Sequence, residues 1–455
     1  MSGRNHDRSL MKTSDNDLSI KEKIAYGCGD LSSNLLWGLT STYLMYYYTD
    51  IYRLPVASVA WILLIARVFD ALCDPLIGIF MDRKGGLIVP RLLTYLSIPF
   101  GVAGFLCFLP LPLPGNGKVI WAGATYILFG AVYSCINTPY GAMATMISQT
   151  SKGRIDLNSF RMIGCQVGKF CVAFLTIPAV EWLGGEGTLS QRQFGFVAFV
   201  FLLCCAGSIL WFVVVKTCIV RFPPQAATYS FRYILKSLIK NRSWHLCNAL
   251  VFVQFICLSA FSGFIFYYAK CNLGRSESVA SLTLTIGVLS GLLGAMLCPF
   301  FTERLGFFRT GLALSVLQGI AYILIFLSKS SLVEFAGSLI VLTFAQGVLS
   351  PLYYVLLAKA VDYSHADDHV DLAGISYALN TLVTKIAGGI TGFILSLFLS
   401  FGHYDANQSS PTGDIALWVL AGFVWLPLTC VAIQFILFLL YSSTDDGPRI
   451  KSAAG

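Results

Sequence analysis

Apolar runs long enough to cross a bilayer alternate with short polar breaks along almost the whole chain. Read between those breaks, the pattern predicts twelve helices, at about 25–51, 55–81, 88–110, 118–147, 158–183, 194–215, 244–270, 277–301, 306–328, 332–358, 372–402 and 414–441. Pro110, Pro112, Pro114 and Gly115 mark the break between the third and fourth. The longest interruption, Lys216 to Ser243, contains Pro223-Pro224 and a basic amphipathic piece, Phe231 to Lys240. The predicted organisation is a tail over 1–23, a six-helix half over 24–215, a linker over 216–243, a second six-helix half over 244–441 and a tail over 442–455. The first 23 residues are polar and lack the apolar centre of a secretory signal, so the first apolar tract is expected to remain as a span.

Composition narrows the class. Of 455 residues, 56% are hydrophobic and 12% charged, with a mean hydropathy of +0.72. A soluble domain is about one quarter charged. A soluble enzyme, a disordered chain and a small disulfide scaffold are thereby excluded together. The 14 cysteines lie mostly inside apolar tracts, with no Cys-x-x-Cys, and are read as small apolar core residues. No P-loop, nucleophile elbow or Rossmann glycine pattern occurs, so neither ATP-driven transport nor enzymatic chemistry is expected, and no cofactor beyond a coupling ion. The net charge of +8 would suggest nucleic acid in a soluble protein; here it reports topology, and no nucleic-acid partner is expected. Of 31 Lys and Arg, 21 fall on the side of the termini and six on the other, which predicts cytoplasmic termini.

The halves echo each other. Tyr47-Tyr48 followed by Ser58-Val59-Ala60 recurs as Tyr267-Tyr268 followed by Ser278-Val279-Ala280. Asp82-Arg83-Lys84-Gly85 after the second span is matched by Glu303-Arg304-Leu305-Gly306 after the eighth. Parallel six-span halves predict an all-α membrane protein of the major-facilitator fold, with its site near the membrane midplane.

An ionisable side chain at a helix centre costs on the order of 3 kcal/mol on insertion scales, and those that persist usually act there. The spans carry Asp30; Arg67, Asp70 and Asp74; Arg161 and Lys169; and Lys385. At about 100° per residue, Arg67, Asp70 and Asp74 share an arc of roughly 60°. Their oxygens suit a hard cation such as Na⁺. Two neighbouring carboxylates also suit a proton, because like charges close together disfavour both being ionised. The alternative is a structural Arg–carboxylate cluster that pins helices. Ser134, Asn137, Pro139 and Tyr140 form a polar, proline-interrupted stretch suited to a cation, to a sugar hydroxyl or to a packing kink. A buried Lys385 needs an anionic partner, with the span-two aspartates as candidates. Lys169 and Asp50 are placed nearer span ends, where such side chains snorkel to the interface. Tyr26, Trp37 and Tyr140 are candidate stacking platforms for a sugar, or core and interface aromatics. His365-Ala-Asp367-Asp368-His369 has metal-like spacing but is expected in a solvated loop, and Asn407-Gln-Ser409 fits a glycosylation triplet.

At Gly27-Cys-Gly29-Asp30, Tyr46-Tyr47-Tyr48-Thr49-Asp50, Arg67-Val-Phe-Asp70-Ala-Leu-Cys73-Asp74-Pro75, Asn137-Thr-Pro139-Tyr140-Gly141 and Asn158-Ser-Phe-Arg161, the sequence resembles the glycoside–pentoside–hexuronide cation symporters. This is the major-facilitator branch that contains the melibiose and glucuronide permeases. Tyr267-Tyr268-Ala-Lys270, Val361-Asp362-Tyr363 and Lys385 with its following glycines continue the resemblance in family order, over roughly residues 20 to 440. The resemblance implies that Asp70 and Asp74, with Ser134, carry the coupling cation. It implies that Asp30, Asn137, Tyr140 and Arg161 bind the sugar, and that Lys385, with Arg67, couples the two halves. Cys73 stands where sodium-using members have an asparagine, which favours H⁺ over Na⁺. Gly141 stands where the melibiose permease has a tryptophan, and the loops at Lys84–Arg91 and Ser364–Ala373 depart from the family pattern.

The expected function is import of a glycoside, pentoside or hexuronide by cation symport through alternating access, in a monomer in the cytoplasmic (inner) membrane. The rivals are a major-facilitator carrier of another solute, such as a lysolipid, and a sugar receptor that does not translocate.

Overall fold

A computed structural model of the chain describes residues 18–84, 88–148, 151–185, 187–221, 241–328, 331–368, 373–405 and 413–444. The amphipathic piece at 231–240, the Asn407-Gln-Ser409 triplet, His369 and Asp371 lie outside them. Among the described residues there is no strand, and the chain forms twelve helices. They are α1 (Ile20–Tyr46, prolonged by a π-helical turn at Tyr47–Ile51), α2 (Val56–Lys84), α3 (Ile88–Cys107), α4 (Gly117–Ile147), α5 (Ser151–Gly184) and α6 (Leu189–Thr217). Then follow α7 (Arg242–Cys271), α8 (Glu277–Leu305), α9 (Phe307–Leu327), α10 (Leu332–Asp368), α11 (Ala373–Phe401) and α12, which runs from Gly413–Leu420 through a π-helical turn at Ala421–Trp425 into Leu426–Thr444. Ten of them, α3 to α12, are long and apolar enough to cross a membrane by length and composition. The other two, α1 and α2, carry Asp30 and the Arg67–Asp70–Asp74 stripe.

Two helices depart from the hydrophobic pattern. The fifth begins at Ser151, earlier than the expected 158, and Lys169, expected nearer a span end, stands at the centre of its apolar stretch, Asp156–Gly184. The tenth continues past its apolar span to Asp368, so residues 365–368 are helical where a loop was expected. No Gly or Pro interrupts residues 352–373, and Leu356-Leu357-Ala358-Lys359-Ala360 are strong helix formers.

The helices form two compact units. The first holds α1, α2 from Ile65 onward, and α3 to α6; the second holds α7 to α12 with Pro55–Leu64. In the first, α1 and α5 are seated on each other through Gly27, Gly164 and Gly168. A Cβ at Gly164 would collide with the Gly27 carbonyl, and one at Gly168 would meet Asn34 Cβ at 2.8 Å. Small residues four apart let two backbones touch, the usual device where lipid removes any hydrophobic drive for association. That approach brings Arg161, one turn before Gly164, against α1.

The start of α1 is tied down by Glu22. Ser19 and Glu22 form a capping box, and the Glu22 carboxylate also lies 3.0 Å from Arg221 Nη2 and accepts from the Ile219 N–H at 3.4 Å. Arg221 N–H donates to the Met146 carbonyl at 2.9 Å, so one carboxylate joins the ends of α1, α4 and α6. Glu22→Ala is expected to destabilise the purified protein by about 3 kcal/mol, through lost capping and lost charge-assisted hydrogen bonds. Lys23→Ala, whose pair with Asp156 is partly solvated (20% and 33% side-chain exposure), is expected to cost under about 1 kcal/mol. Thermal unfolding in detergent measures both.

The repeated tyrosine pair has a repeated role. Tyr47 donates to the Phe108 carbonyl at 2.6 Å, just beyond α3, and Tyr268 donates to Ile325 near the end of α9 at 3.5 Å. Each pair thus ties its unit's first helix to the end of the third. In the second unit, Trp244, Leu250, Leu349, Leu352, Tyr353 and Phe438 belong to one buried core. Asn380 donates to Asn248 at 3.0 Å, joining α11 to α7, and Lys385 is buried on α11 at 9% exposure.

Candidate functional site

The sequence-predicted residues of α1, α2, α4 and α5 gather into two polar clusters in the first unit. The first is acidic. Asp70 is buried, with its Oδ1 accepting from Ser134 at 2.6 Å and Oδ2 3.8 Å from Arg67 Nη1. Arg67 is held by rings: its guanidinium carbon lies 4.2 Å over Trp37 and 5.9 Å over Tyr126. One turn along, Thr138 donates to Asp74 Oδ1 at 3.4 Å. Asp70 and Asp74 are four residues apart on α2 as Ser134 and Thr138 are on α4, so the two helices present carboxylates and hydroxyls in matched register. Thr138 was not among the expected ligands, though its spacing from Ser134 repeats that of the aspartates. Cys73, partly buried and not in a disulfide, lies between the two carboxylates in sequence.

The second cluster is an ion pair. Arg161 Nε donates to Asp30 Oδ2 at 2.8 Å, with side-chain exposures of 26% and 11%. The guanidinium lies 5.1 Å from the Tyr140 ring, and Gly141 leaves space beside Nη1, where a Cβ would sit at 3.7 Å. Next to it, Cys165 Sγ donates to Asn34 Oδ1 at 3.4 Å, and Asn34 donates to the Asp30 carbonyl.

Tyr140 requires a correction. Expected as a sugar ligand, it is fully buried, its hydroxyl donating to the Tyr26 carbonyl while Tyr26 donates back to the Tyr140 carbonyl at 3.1 Å. Its ring lies 4.7 Å from that of Tyr26 and edge-on to Trp211 at 5.1 Å. Both tyrosines therefore buttress Arg161 from behind, and neither offers a stacking face. Trp37 is likewise occupied, stacked on Tyr133 at 4.5 Å while Arg67 covers its ring. Asp50 is buried too, accepting from Thr49 at 2.8 Å, so it does not snorkel.

Asn137 lies on α4 one turn from Ser134 and one turn from Gly141, between the clusters. Its Oδ1 is buried without a hydrogen-bond partner. A buried acceptor left unmade costs about 1–3 kcal/mol, so this oxygen is suited to a donor that arrives with a solute. Among the described residues, no group of three or more His, Cys, Asp or Glu forms a metal centre.

Residues 25–445 match the family model described as MFS/sugar transport protein. The chain belongs to that family. Like its relatives it is a multi-pass membrane transporter, not an enzyme. The inner membrane symporter YicJ of Escherichia coli (strain K12) is 28% identical over 439 residues, covering 94% of this chain and 92% of its own. An isoprimeverose transporter of Lactiplantibacillus pentosus is 27% identical, covering 94% of this chain and 90% of its own. Among solved structures, a D-xylose-proton symporter superposes with a TM-score of 0.68 at 14% identity, covering 92% of this chain and 97% of that one, which establishes the major-facilitator fold. The resemblance drawn from the α1, α2, α4 and α5 motifs therefore holds at family level.

Proposed function

We propose that this protein imports a glycoside, pentoside or hexuronide across the inner membrane by symport with a cation, H⁺ in preference to Na⁺. The observation that carries the reading is the pairing within one unit of a carboxylate–hydroxyl cluster and an Arg161–Asp30 pair, with the unsatisfied Asn137 oxygen between them on α4. Asp70, Asp74 and Ser134 hold the cation, with Thr138 added, and Cys73 replaces an oxygen that Na⁺ would use. A proton needs only one carboxylate, so it tolerates the thiol. Asp30, Arg161 and Asn137 bind solute hydroxyls, and the arginine also suits a uronate. Tyr140 acts through Arg161. Lys385 and Arg67 link solute and ion occupancy while the six-helix units alternate access, with both termini on the cytoplasmic side.

The test is uptake into proteoliposomes under a proton gradient in sodium-free buffer, compared with a sodium gradient at matched pH. Sugar accumulation with the proton gradient, and alkalinisation outside on adding sugar, is the expected result. Accumulation driven by sodium alone overturns the proton assignment. Binding without accumulation under either gradient points to a receptor, and uptake of a lysolipid but no sugar points to the other solute class.

A further inference from the structure

The second unit buries polar side chains that the reading above does not use. Gln254 on α7, Gln318 on α9, Tyr353 on α10 and Gln434 on α12 are each at 3% exposure or less. Both amide atoms of Gln254 and of Gln318, the Gln434 Oε1 and the Tyr353 hydroxyl have no hydrogen-bond partner in the protein. The other amide atom of Gln434, Nε2, donates to Ser315 Oγ at 2.8 Å.

Contacts between the helices bring these side chains to one level. The ninth and twelfth helices run antiparallel, with Gly311 against the Phe438 ring, Ser315 bonded to Gln434 and Gly319 facing Val431. Gln318 is one turn from Ser315 on the same face. The seventh helix is also antiparallel to α12, since Cys257 is hydrogen-bonded to Cys430 and Phe264 packs on Gly422. Gln254, one turn before Cys257, therefore comes within about a turn of Gln434, one turn past Cys430. On α10, Gln346 donates to the Tyr322 hydroxyl of α9 at 3.4 Å. Because α10 starts at Leu332, directly after α9 ends at Leu327, these two are antiparallel as well. Tyr353, two turns beyond Gln346, is thus level with Ser315, two turns before Tyr322, and its ring lies 6.0 Å from that of Phe438.

The layer so formed is polar and uncharged, and it is set in an apolar core that includes Val251, Leu314 and Leu349. An unpaired amide or hydroxyl is costly in a membrane-embedded interior, and six such atoms together would rival the stability of a whole domain. Gln254 and Gln318 each need a donor and an acceptor. A cation would satisfy the oxygens alone, and no carboxylate stands among Gln254, Ser315, Gln318, Tyr353 and Gln434 to neutralise it. Water donates, accepts and carries no charge. At about three hydrogen bonds per buried water, six atoms call for about two molecules.

We propose that the second unit holds about two structural water molecules, bound between α7, α9, α10 and α12 by Gln254, Gln318, Tyr353 and Gln434. They complete a hydrogen-bonded layer across four helices, in a setting where lipid removes the hydrophobic drive for helix association. The site is separate from the acidic cluster and the ion pair of the first unit.

The test is radiolytic hydroxyl-radical labelling of the purified full-length protein, read residue by residue by mass spectrometry. Radicals formed from a bound water oxidise the side chains beside it, even where bulk solvent does not reach. Tyr353 and Phe438 are compared with Tyr48 and Phe129 of the first unit, which are likewise buried, the Tyr48 hydroxyl donating to the Ala122 carbonyl. Tyr353 and Phe438 are expected to label about fivefold faster than these controls, or more. Gln318→Met, which removes two partners of the water with little change of volume, is expected to lower that rate toward the controls. Thermal unfolding confirms that the variant is folded, and Gln434→Met replaces it if it is not. Labelling of Tyr353 and Phe438 at the control rates in the wild type overturns the site and points to glutamines paired directly with one another. Fast labelling that persists unchanged in a folded variant overturns the glutamines as its ligands.

Discussion

Asp74→Asn is expected to abolish uphill uptake while sparing solute binding and exchange. A tenfold inward cation gradient supplies about 1.4 kcal/mol, which at one-to-one coupling sustains about tenfold accumulation. The variant should let solute only equilibrate. The position follows from the acidic cluster: Asp70 is buried against Ser134 and Arg67, whereas Asp74, a turn along, faces Thr138 across a longer 3.4 Å contact. Amide for carboxylate at Asp74 removes one negative charge with little change of shape, so coupling is lost while the Asp30–Arg161 cluster is left intact. Proteoliposome accumulation and solute counterflow, measured side by side, separate these outcomes. Wild-type accumulation in Asp74→Asn would remove Asp74 from the coupling machinery.

The second large effect is at Arg161. Arg161→Ala is expected to weaken solute binding by roughly tenfold to a hundredfold, about 1.4–2.7 kcal/mol, through loss of charge-assisted hydrogen bonds. Asp30→Ala should approach the same loss, because the carboxylate aligns the guanidinium through Nε and leaves its far edge beside the open space at Gly141. Arg161→Lys is expected to recover little, since an ammonium cannot reproduce the planar fork. Calorimetric titration of folded variants is the measurement. Unchanged affinity with a lowered unfolding temperature would make the pair a structural staple between α1 and α5.

Much of this protein was legible in one dimension because a bilayer constrains sequence harshly. Each span must be a helix, so apolar runs between polar breaks predict twelve helices, ten of them apolar enough to cross by composition, and a charge inside a run stands out against its cost. Asp30, Asp70, Asp74, Arg67 and Arg161 were visible for that reason, and their spacing on α2 already placed three of them on one stripe. The doubled tyrosines mark the end of each unit's first helix, where the first tyrosine of one pair and the second of the other each reach the end of the third helix.

Partnership was the part that only three dimensions decided. Nothing in the order of residues says that Arg161 meets Asp30 across 131 positions, or that Thr138 joins Ser134 in facing the aspartates. Whether Tyr140 and Trp37 were sugar platforms or core aromatics was left open, because exposure is not encoded in residue type. Packing closed them, one behind Arg161 and the other between Tyr133 and Arg67. The true start of α5 was hidden as well, because residues 151–157 are mostly polar, which hydropathy cannot read as helix but backbone hydrogen bonding can. The sequence by itself determined the class, the number of spans and the inventory of charges, because those follow from the cost of burying polar groups in lipid. Which charges meet, and which faces remain open to a solute, depended on glycine-mediated contacts between helices distant in the chain.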